Sequence, residues 1–154
     1  MKALVVYDSF FGNTERVARA VADALGGEAL RVGQVTPDRL AGLDLLVVGS
    51  PTRAFRPSPD IKNWLASLPA DSLAGINVAA FDTRISVEET RSAVLSFFVK
   101  LFGYAAKPMA DMLAKKGGRL AAAPEGFYVQ DKEGPLKDGE LERAAEWAGR
   151  LAGA

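Results

Sequence analysis

The 154-residue chain contains no cysteine and no histidine, and each absence excludes a class of chemistry. Without cysteine the protein has no disulfide, no thiolate metal site and no thiol nucleophile. Without histidine it has no Ser-His-Asp triad, no imidazole ligand for a metal and no ordinary general base near neutral pH. We therefore predict neither a catalytic side chain nor a metal site, and we expect a bound cofactor to carry any chemistry.

The chain also lacks net charge and long apolar runs. Lys and Arg total 19, as do Asp and Glu, so no overall field attracts nucleic acid or an anionic membrane surface. No apolar run approaches the ~20 residues that cross a membrane, and no basic-then-apolar leader opens the sequence. We expect a cytoplasmic protein without a membrane span or a nucleic-acid partner, folded as a single domain over residues 1–154.

What the sequence does contain is a strand–turn–helix pattern at its start. An apolar strand over residues 3–7 is followed by an N-terminal turn, residues 8–14, and then by an amphipathic helix. The N–H groups at a helix N-terminus point toward a ligand placed there, and the helix dipole favours its negative charge. The residues of the N-terminal turn suited to a phosphate are Ser9, Gly12, Asn13 and Thr14. Because the turn itself has no cation, we expect a phosphate monoester held by neutral donors; the alternative is an ordinary βα turn that needs its Gly and cap for geometry alone.

Strands and helices alternate along the rest of the chain. Strands are predicted over residues 3–7, 28–32, 44–49 and 76–81, and a fifth, interrupted near Pro124, over 119–123 and 126–129. Helices are predicted over 14–25, with Val17, Val21, Ala24 and Leu25 inward; from Pro59 behind a Ser58 cap; over about 88–116, divided at Gly103 and Pro108; and from an Asp138 cap onward. This alternation predicts a doubly wound α/β fold whose ligand lies beyond the carboxyl ends of parallel strands.

The segment YDSFFGNTE resembles the phosphate loop of the flavodoxins, which follows the pattern aromatic, Ser or Thr, two variable residues, then Gly-Asn-Thr-Glu. The family binds the 5′-phosphate of FMN there, and the matching positions are Ser9, Gly12, Asn13, Thr14 and Glu15. The two variable positions, Phe10 and Phe11, are also expected to contact the cofactor. Phe11 departs from the pattern, since most flavodoxins have Thr at this position and use its hydroxyl. An aromatic before the Gly is typical of the flavodoxin-like quinone reductases. The resemblance implies a five-stranded parallel sheet in the order 2-1-3-4-5, with the ligand between strands 1 and 3.

Two further loops resemble those that border the flavin in this family. The GSPTR sequence after strand 3 is similar to the quinone-reductase branch, and it implies ring contacts from Ser50, Pro51, Thr52, Arg53, Ala54 and Phe55. Phe55 is the aromatic of this loop, and it either contacts the flavin or packs into the protein. After strand 4 the resemblance places the pyrimidine edge of the flavin at Asp82, Thr83 and Arg84. The Tyr that often stacks on the ring is absent, because Val87 and Glu88 stand at the matching distance.

Arginines replace the carboxylates that surround the ring in acidic electron-transfer flavodoxins. Arg53, Arg56 and Arg84 come from the two loops expected to border the flavin. Our hypothesis is that they raise the flavin potential or hold an anionic substrate or cofactor over it. The alternative is that they point to water or pair with Asp60 and Asp82.

One apolar segment, VLSFFVKLF at residues 94–102, lacks the single stripe that a surface helix normally shows. It is either a deeply buried helix or an exposed surface that forms a homodimer interface or a lid on the flavin edge.

The sequence is therefore identified as that of an FMN-binding flavodoxin-like protein acting in electron transfer, with a redox partner protein or a small-molecule acceptor. Two alternatives remain open. A small NAD(P)H-dependent quinone or acceptor reductase is favoured by the GSPTR loop, Phe11 and the arginines. A non-redox binding module that has lost FMN is favoured by Phe11 and the missing Tyr.

Overall fold

The structure, a computed structural model, describes residues 1–53, 56–85 and 104–154. The strands of these residues are β1 (Ala3–Tyr7), β2 (Glu28–Arg31), β3 (Leu45–Pro51), β4 (Asn77–Ile85), β5 (Arg119–Leu120) and β6 (Glu125–Val129). Their α-helices are α1 (Asn13–Leu25), α2 (Pro59–Ser67), α3 (Ala106–Lys115) and α4 (Glu140–Ala152). None of the helices in this part of the chain is both long and apolar enough to cross a membrane.

The strands form one parallel sheet in the order β2-β1-β3-β4-β5, and β6 pairs with the second half of β4. The predicted order 2-1-3-4-5 and the predicted interruption of the fifth strand are both confirmed. Val78 lies opposite Leu120 but Phe81 lies opposite Glu125, so residues 121–124 put two extra residues into this edge. Pro124, which has no N–H to give to a ladder, falls within that interruption.

Helices cover both faces of the sheet, as the alternating pattern predicts. On one face, Val5, Val47 and Phe81 pack against α1 and α4. On the other face, Val6, Val48 and Val78 belong to a second cluster with residues of α2 and α3. Because successive strand residues point to opposite faces, a parallel strand buried on both sides has a continuous apolar sequence, as β1 does.

Several predicted boundaries were wrong. Asp138 does not cap the last helix; α4 begins after Gly139, whose φ of 83° is left-handed. Pro108 does not divide a helix but lies in the first turn of α3, where its missing N–H costs no helical hydrogen bond. Ala24 is exposed, and the small residues that face the core from α1 are Ala18 and Ala22.

β4 continues to Ile85, four residues beyond its predicted end, because β3 and β6 pair with it on either side. The apolar 94–102 segment, with the dimer or lid suggested for it, lies outside the described residues.

Candidate functional site

The N-terminal turn leaves backbone donors at the start of α1. Gly12 adopts a left-handed φ of 88°, and a Cβ added there would meet nothing within 4 Å, so the backbone conformation rather than crowding favours glycine. The Ser9 hydroxyl accepts a hydrogen bond from the Gly12 N–H at 3.1 Å. The first intrahelical bond runs from the Arg16 N–H to the Gly12 carbonyl, so the N–H groups of the three residues between them have no acceptor within the helix. These donors and the helix dipole suit an anion.

Arg31, at the end of β2, contacts the N-terminal turn. Its guanidinium donates to the Ser9 carbonyl at 3.0 Å and to the Glu15 carboxylate at 3.2 Å, and it lies 3.4 Å from Asp8 Oδ1. The same Asp8 oxygen accepts the Ser9 N–H at 2.9 Å. The sequence pattern did not predict a role for Arg31. The one feature that could have indicated it is the position of Arg31 at the carboxyl end of the strand that pairs with β1. Its contacts tie both ends of the turn to the sheet, so the turn is shaped before any ligand arrives.

A cavity of about 390 Å³ opens beyond the carboxyl ends of β1, β3, β4 and β6. Its walls are formed by Ser9, Phe10, Phe11, Asn13, Thr14, Pro51, Thr52, Arg53, Thr83, Arg84, Ile85, Val129 and Lys132. Among these described residues three are cationic and none is a carboxylate, although the chain as a whole is neutral. Phe10 and Phe11 are 44% and 47% exposed and supply aromatic surface beside the cavity.

Hydrogen bonds join the three segments that surround the cavity. The hydroxyls of Thr14 and Thr83, both buried, lie 2.8 Å apart and connect the start of α1 to the end of β4. The Thr52 N–H donates to the Thr83 carbonyl at 3.0 Å, and the Thr52 hydroxyl accepts the Ala105 N–H at 3.3 Å. The cavity has walls that follow β1 and β3, the two strands between which the strand order reverses. Open parallel sheets bind ligands at this point.

Asp82 and Arg84 form an ion pair in which the Asp82 side chain is fully buried and the Arg84 side chain is 16% exposed. Asp82 is fully buried and does not line the cavity; its oxygens accept Arg84 Nε at 2.6 Å and Nη2 at 2.7 Å. Asp82 Oδ2 also accepts the Ala106 N–H at the start of α3, at 2.8 Å. Burial raises the pKa of the Asp82 carboxyl, and the bonds from Arg84 and Ala106 oppose that rise. For Arg84, the expected pairing with Asp82 is therefore observed. The Arg84 guanidinium also lies over the Tyr104 ring, at 3.7 Å from its centre.

The loop after β3 contributes to the cavity in part. Pro51, Thr52 and Arg53 line it, whereas Ser50 is fully buried. The Ser50 hydroxyl donates to the Pro51 carbonyl at 2.8 Å and accepts the Ser58 N–H at 2.9 Å, so it fastens this loop to the start of α2. Ala54 and Phe55 lie outside the described residues.

The two remaining arginines differ in their surroundings. The Arg53 guanidinium lies 4.8 Å from the centre of the Phe10 ring, a cation–π distance. Arg56 lies outside the first cavity and lines an adjoining groove of about 460 Å³ together with Asp8 and Asp60. The groove and the cavity share Phe10 and Arg53 as a common wall.

Comparison with known proteins identifies the fold. No family model matches the chain. An uncharacterized protein of Methanocaldococcus jannaschii is 39% identical over 51 residues, which is 32% of this chain and 34% of that protein. Among solved structures, oxidised Flavodoxin 1 from Bacillus cereus superposes with a TM-score of 0.76 at 15% identity, covering 99% of this chain and 98% of that one.

Two other solved structures cover the chain equally well. A WrbA-like flavodoxin from Agrobacterium tumefaciens has a TM-score of 0.74 at 22% identity and covers 99% of this chain and 95% of its own. A flavodoxin from the domain Archaea has a TM-score of 0.74 at 21% identity, covering 99% and 97%. The chain therefore has the flavodoxin-like fold that its N-terminal turn predicts, and at these identities the likeness is one of fold.

Proposed function

We propose that this flavodoxin-like protein binds FMN in the cavity at the carboxyl ends of its strands and acts in electron transfer. The observation that supports this best is the meeting of two features in one cavity of about 390 Å³. The start of α1 presents backbone donors without helical acceptors, and Phe10 and Phe11 present exposed aromatic surface beside them. A ligand with a phosphate at one end and a flat aromatic ring at the other satisfies both features, and the volume lies in the usual range for small-molecule sites.

The residues present fit the two ends of FMN. The phosphate would be held by the N–H groups of residues 13–15 and by the Ser9 hydroxyl, which keeps its own O–H for a ligand while it accepts from Gly12. The ring would be bordered by the loop after β3 and by the end of β4, whose cavity-lining residues include Thr52, Thr83 and Ile85. FMN, when bound, supplies reversible acceptance of one or two electrons.

The chain's own contribution to that chemistry is orientation and charge. The cavity wall contains cations and no carboxylate among the described residues, so it stabilises negative charge gained by a bound cofactor. One unit charge at roughly 7 Å, in an effective dielectric of about 20, is worth ~2 kcal/mol, and solvent exposure reduces this value. This arrangement supports a reduction potential above that of a flavin surrounded by carboxylates.

The first prediction tests the phosphate end of the site with a matched pair of variants. Ser9→Asp retains an oxygen that can accept the Gly12 N–H, so the turn is kept, but its charge repels a phosphate. Ser9→Asn is neutral and of similar size. We expect the wild-type protein to bind FMN at submicromolar concentration, Ser9→Asp to bind it at least tenfold more weakly, and Ser9→Asn to stay within a few-fold of wild type. Flavin fluorescence and visible absorbance follow the titration.

Two results would count against the proposal. No binding of FMN at ~100 µM would favour the non-redox binding module. Equal weakening by Ser9→Asp and Ser9→Asn would show that the charge of the ligand does not matter at this turn. Oxidation of NAD(P)H by the FMN-loaded protein with a quinone present would favour the reductase over the electron carrier.

A further inference from the structure

A lysine reaches the cavity from a part of the chain far from the N-terminal turn. Lys132 follows β6 and lines the same cavity as Ser9 and Thr14. The turn itself contains no cation, and Phe11 stands where a hydroxyl donor is usual in flavodoxins. The fold therefore adds, from another loop, a positively charged donor that the turn lacks.

The loop that contains Lys132 is seated on the first residue of α1. The Asn13 side-chain amide donates to the Glu133 carbonyl at 3.0 Å. Gly134 packs against that amide so closely that an added Cβ would lie 2.6 Å from both Asn13 Nδ2 and Oδ1. The Asn13 amide nitrogen is thus used to hold this loop.

The same loop is closed by its own backbone. The Gln130 N–H donates to the Pro135 carbonyl at 2.8 Å, and the Gly134 N–H donates to the Asp131 carbonyl at 2.9 Å. The Lys132 N–H donates to the Asp131 carboxylate at 2.7 Å. With its ends joined and Glu133 tied to Asn13, the loop keeps the Lys132 backbone beside the start of α1.

The charge of Lys132 is less opposed than the charges of Arg84 and Arg31. Arg84 is paired with buried Asp82, and Arg31 contacts Asp8 and Glu15. Within the described ranges, no carboxylate lies within 4.0 Å of the Lys132 ammonium. An ammonium on a long side chain is a compact charge with three donors, which suits a phosphate.

We propose that Lys132 binds the terminal phosphate of the cofactor and makes the site prefer a phosphorylated flavin over the unphosphorylated one. It would supply a side-chain donor that Phe11 does not, in addition to the backbone donors of α1. This role rests on the proposed binding of FMN, and it assigns the discrimination between FMN and riboflavin to a residue outside the N-terminal turn.

The second prediction compares FMN and riboflavin binding in Lys132→Gln, Lys132→Arg and Lys115→Gln. Lys115 is exposed at the end of α3, outside the cavity, and serves as the control for loss of one positive charge. Because Gln cannot give the phosphate a charged donor, we expect Lys132→Gln to weaken FMN binding at least tenfold. Riboflavin binding is expected to stay unchanged, and Lys132→Arg is expected to retain most of the preference. FMN affinity should also fall less steeply with salt in Lys132→Gln than in wild type.

The outcomes separate this role from the proposed function. If wild type binds FMN and Lys132→Gln binds it equally well, the role of Lys132 is wrong while FMN binding stands. If Lys132→Gln weakens FMN and riboflavin equally, the residue supports the loop and not the phosphate. If wild type binds neither flavin, both the role and the proposed function are wrong.

A second variant tests the loop that holds the lysine. Gly134→Ala introduces a Cβ against Asn13 at a φ of 104°, so it should displace the loop and weaken FMN binding in the wild-type background. In the Lys132→Gln background the same change should have much less effect, because the phosphate contact is already lost. Full additivity of the two changes would show that the loop does not act through Lys132. Riboflavin binding and circular dichroism report whether each variant is folded.

Discussion

At the scale of single residues, neighbours decide what each arginine of this site does. Arg31 shapes the N-terminal turn through Asp8 and Glu15, whereas Arg84 is held by Asp82 and covered by the Tyr104 ring. Asp82 is fully buried and receives two bonds from Arg84 and one from the start of α3. It therefore acts as an anchor between β4 and α3, and it orients one cation of the cavity wall.

The third prediction concerns the ion pair of Asp82 and Arg84. In Asp82→Asn the amide offers one acceptor where Asp82 offers two, and the Arg84 guanidinium loses its counter-charge. Removing one partner of a buried ion pair typically costs about 3–5 kcal/mol of unfolding free energy, and because Arg84 is 16% exposed we expect a loss toward the lower end of this range. Asp111→Asn is the control, because Asp111 pairs with Lys107 on an exposed surface, where such pairs contribute about 0–1 kcal/mol. Urea unfolding at pH 7 measures both; a similar small loss in the two variants would contradict the role given to Asp82.

At the scale of elements, a cluster of charged groups ties the start of α4 to β6. Glu140 accepts the Tyr128 N–H at 2.7 Å and two donors of Arg143 at 2.7 and 3.0 Å. Arg143 also lies 3.1 Å from the Glu125 carboxylate, and its guanidinium lies over the Phe127 ring at 4.6 Å. Burial alone would raise the pKa of Glu140, but the Arg143 and Tyr128 hydrogen bonds and the Arg143 and Lys137 charges outweigh it and hold the pKa below its usual 4.5.

The fourth prediction follows from the sign of that shift. A carboxyl whose pKa is lower in the folded state binds fewer protons there, so its contribution to stability is present above pH 4.5 and is lost as the pH falls through the folded-state pKa. We expect Glu140→Gln to lower the unfolding free energy at pH 7 and to differ progressively less from wild type below pH 4.5. Glu142→Gln, an exposed change in the same turn of α4, should show little difference at either pH. A Glu140→Gln deficit that stays constant down to pH 3 would contradict this account.

At the scale of the whole molecule, one close contact links the central strands to the outer helix layer. The Phe81 ring on β4 covers Gly49 of β3 and packs edge-to-face with Phe127 and Trp147, at centroid distances of 5.8 and 6.0 Å. Trp147 belongs to α4, so this aromatic cluster joins three elements on one face of the sheet. Gly49 is required here by the space available and not by its backbone conformation.

The fifth prediction compares two Gly→Ala substitutions that should change the unfolding free energy in opposite directions. A Cβ at Gly49 would lie 2.1 Å from Phe81 Cζ, so Gly49→Ala must move the ring and should cost about 1–3 kcal/mol of unfolding free energy. Gly149 lies exposed within α4, and a Cβ there meets nothing within 4 Å. Gly149→Ala should therefore add about 0.5–1 kcal/mol through helix propensity. Thermal and urea unfolding measure both, and a stabilising Gly49→Ala would contradict the packing described.

The sequence by itself determined the features that depend on local pattern. Alternating apolar strands and amphipathic helices predicted the doubly wound parallel sheet, because burial on both faces requires that periodicity. Pro124 predicted the interruption of the fifth strand, because proline has no N–H to donate to a neighbouring strand. The N-terminal turn was also predicted, because all of its residues are contiguous in the sequence. The strand order came from the resemblance to flavodoxins that this turn revealed.

Only the tertiary structure decided which distant side chains meet. The path of the folded chain places Lys132 at the cavity, brings Arg31 into contact with the N-terminal turn and buries Asp82. The residues next to each of them in the sequence do not indicate these positions. A charged side chain has the same appearance in a sequence whether water or a counter-ion will surround it. Its partner depends on which strand ends the sheet brings together, and that is a property of the folded chain.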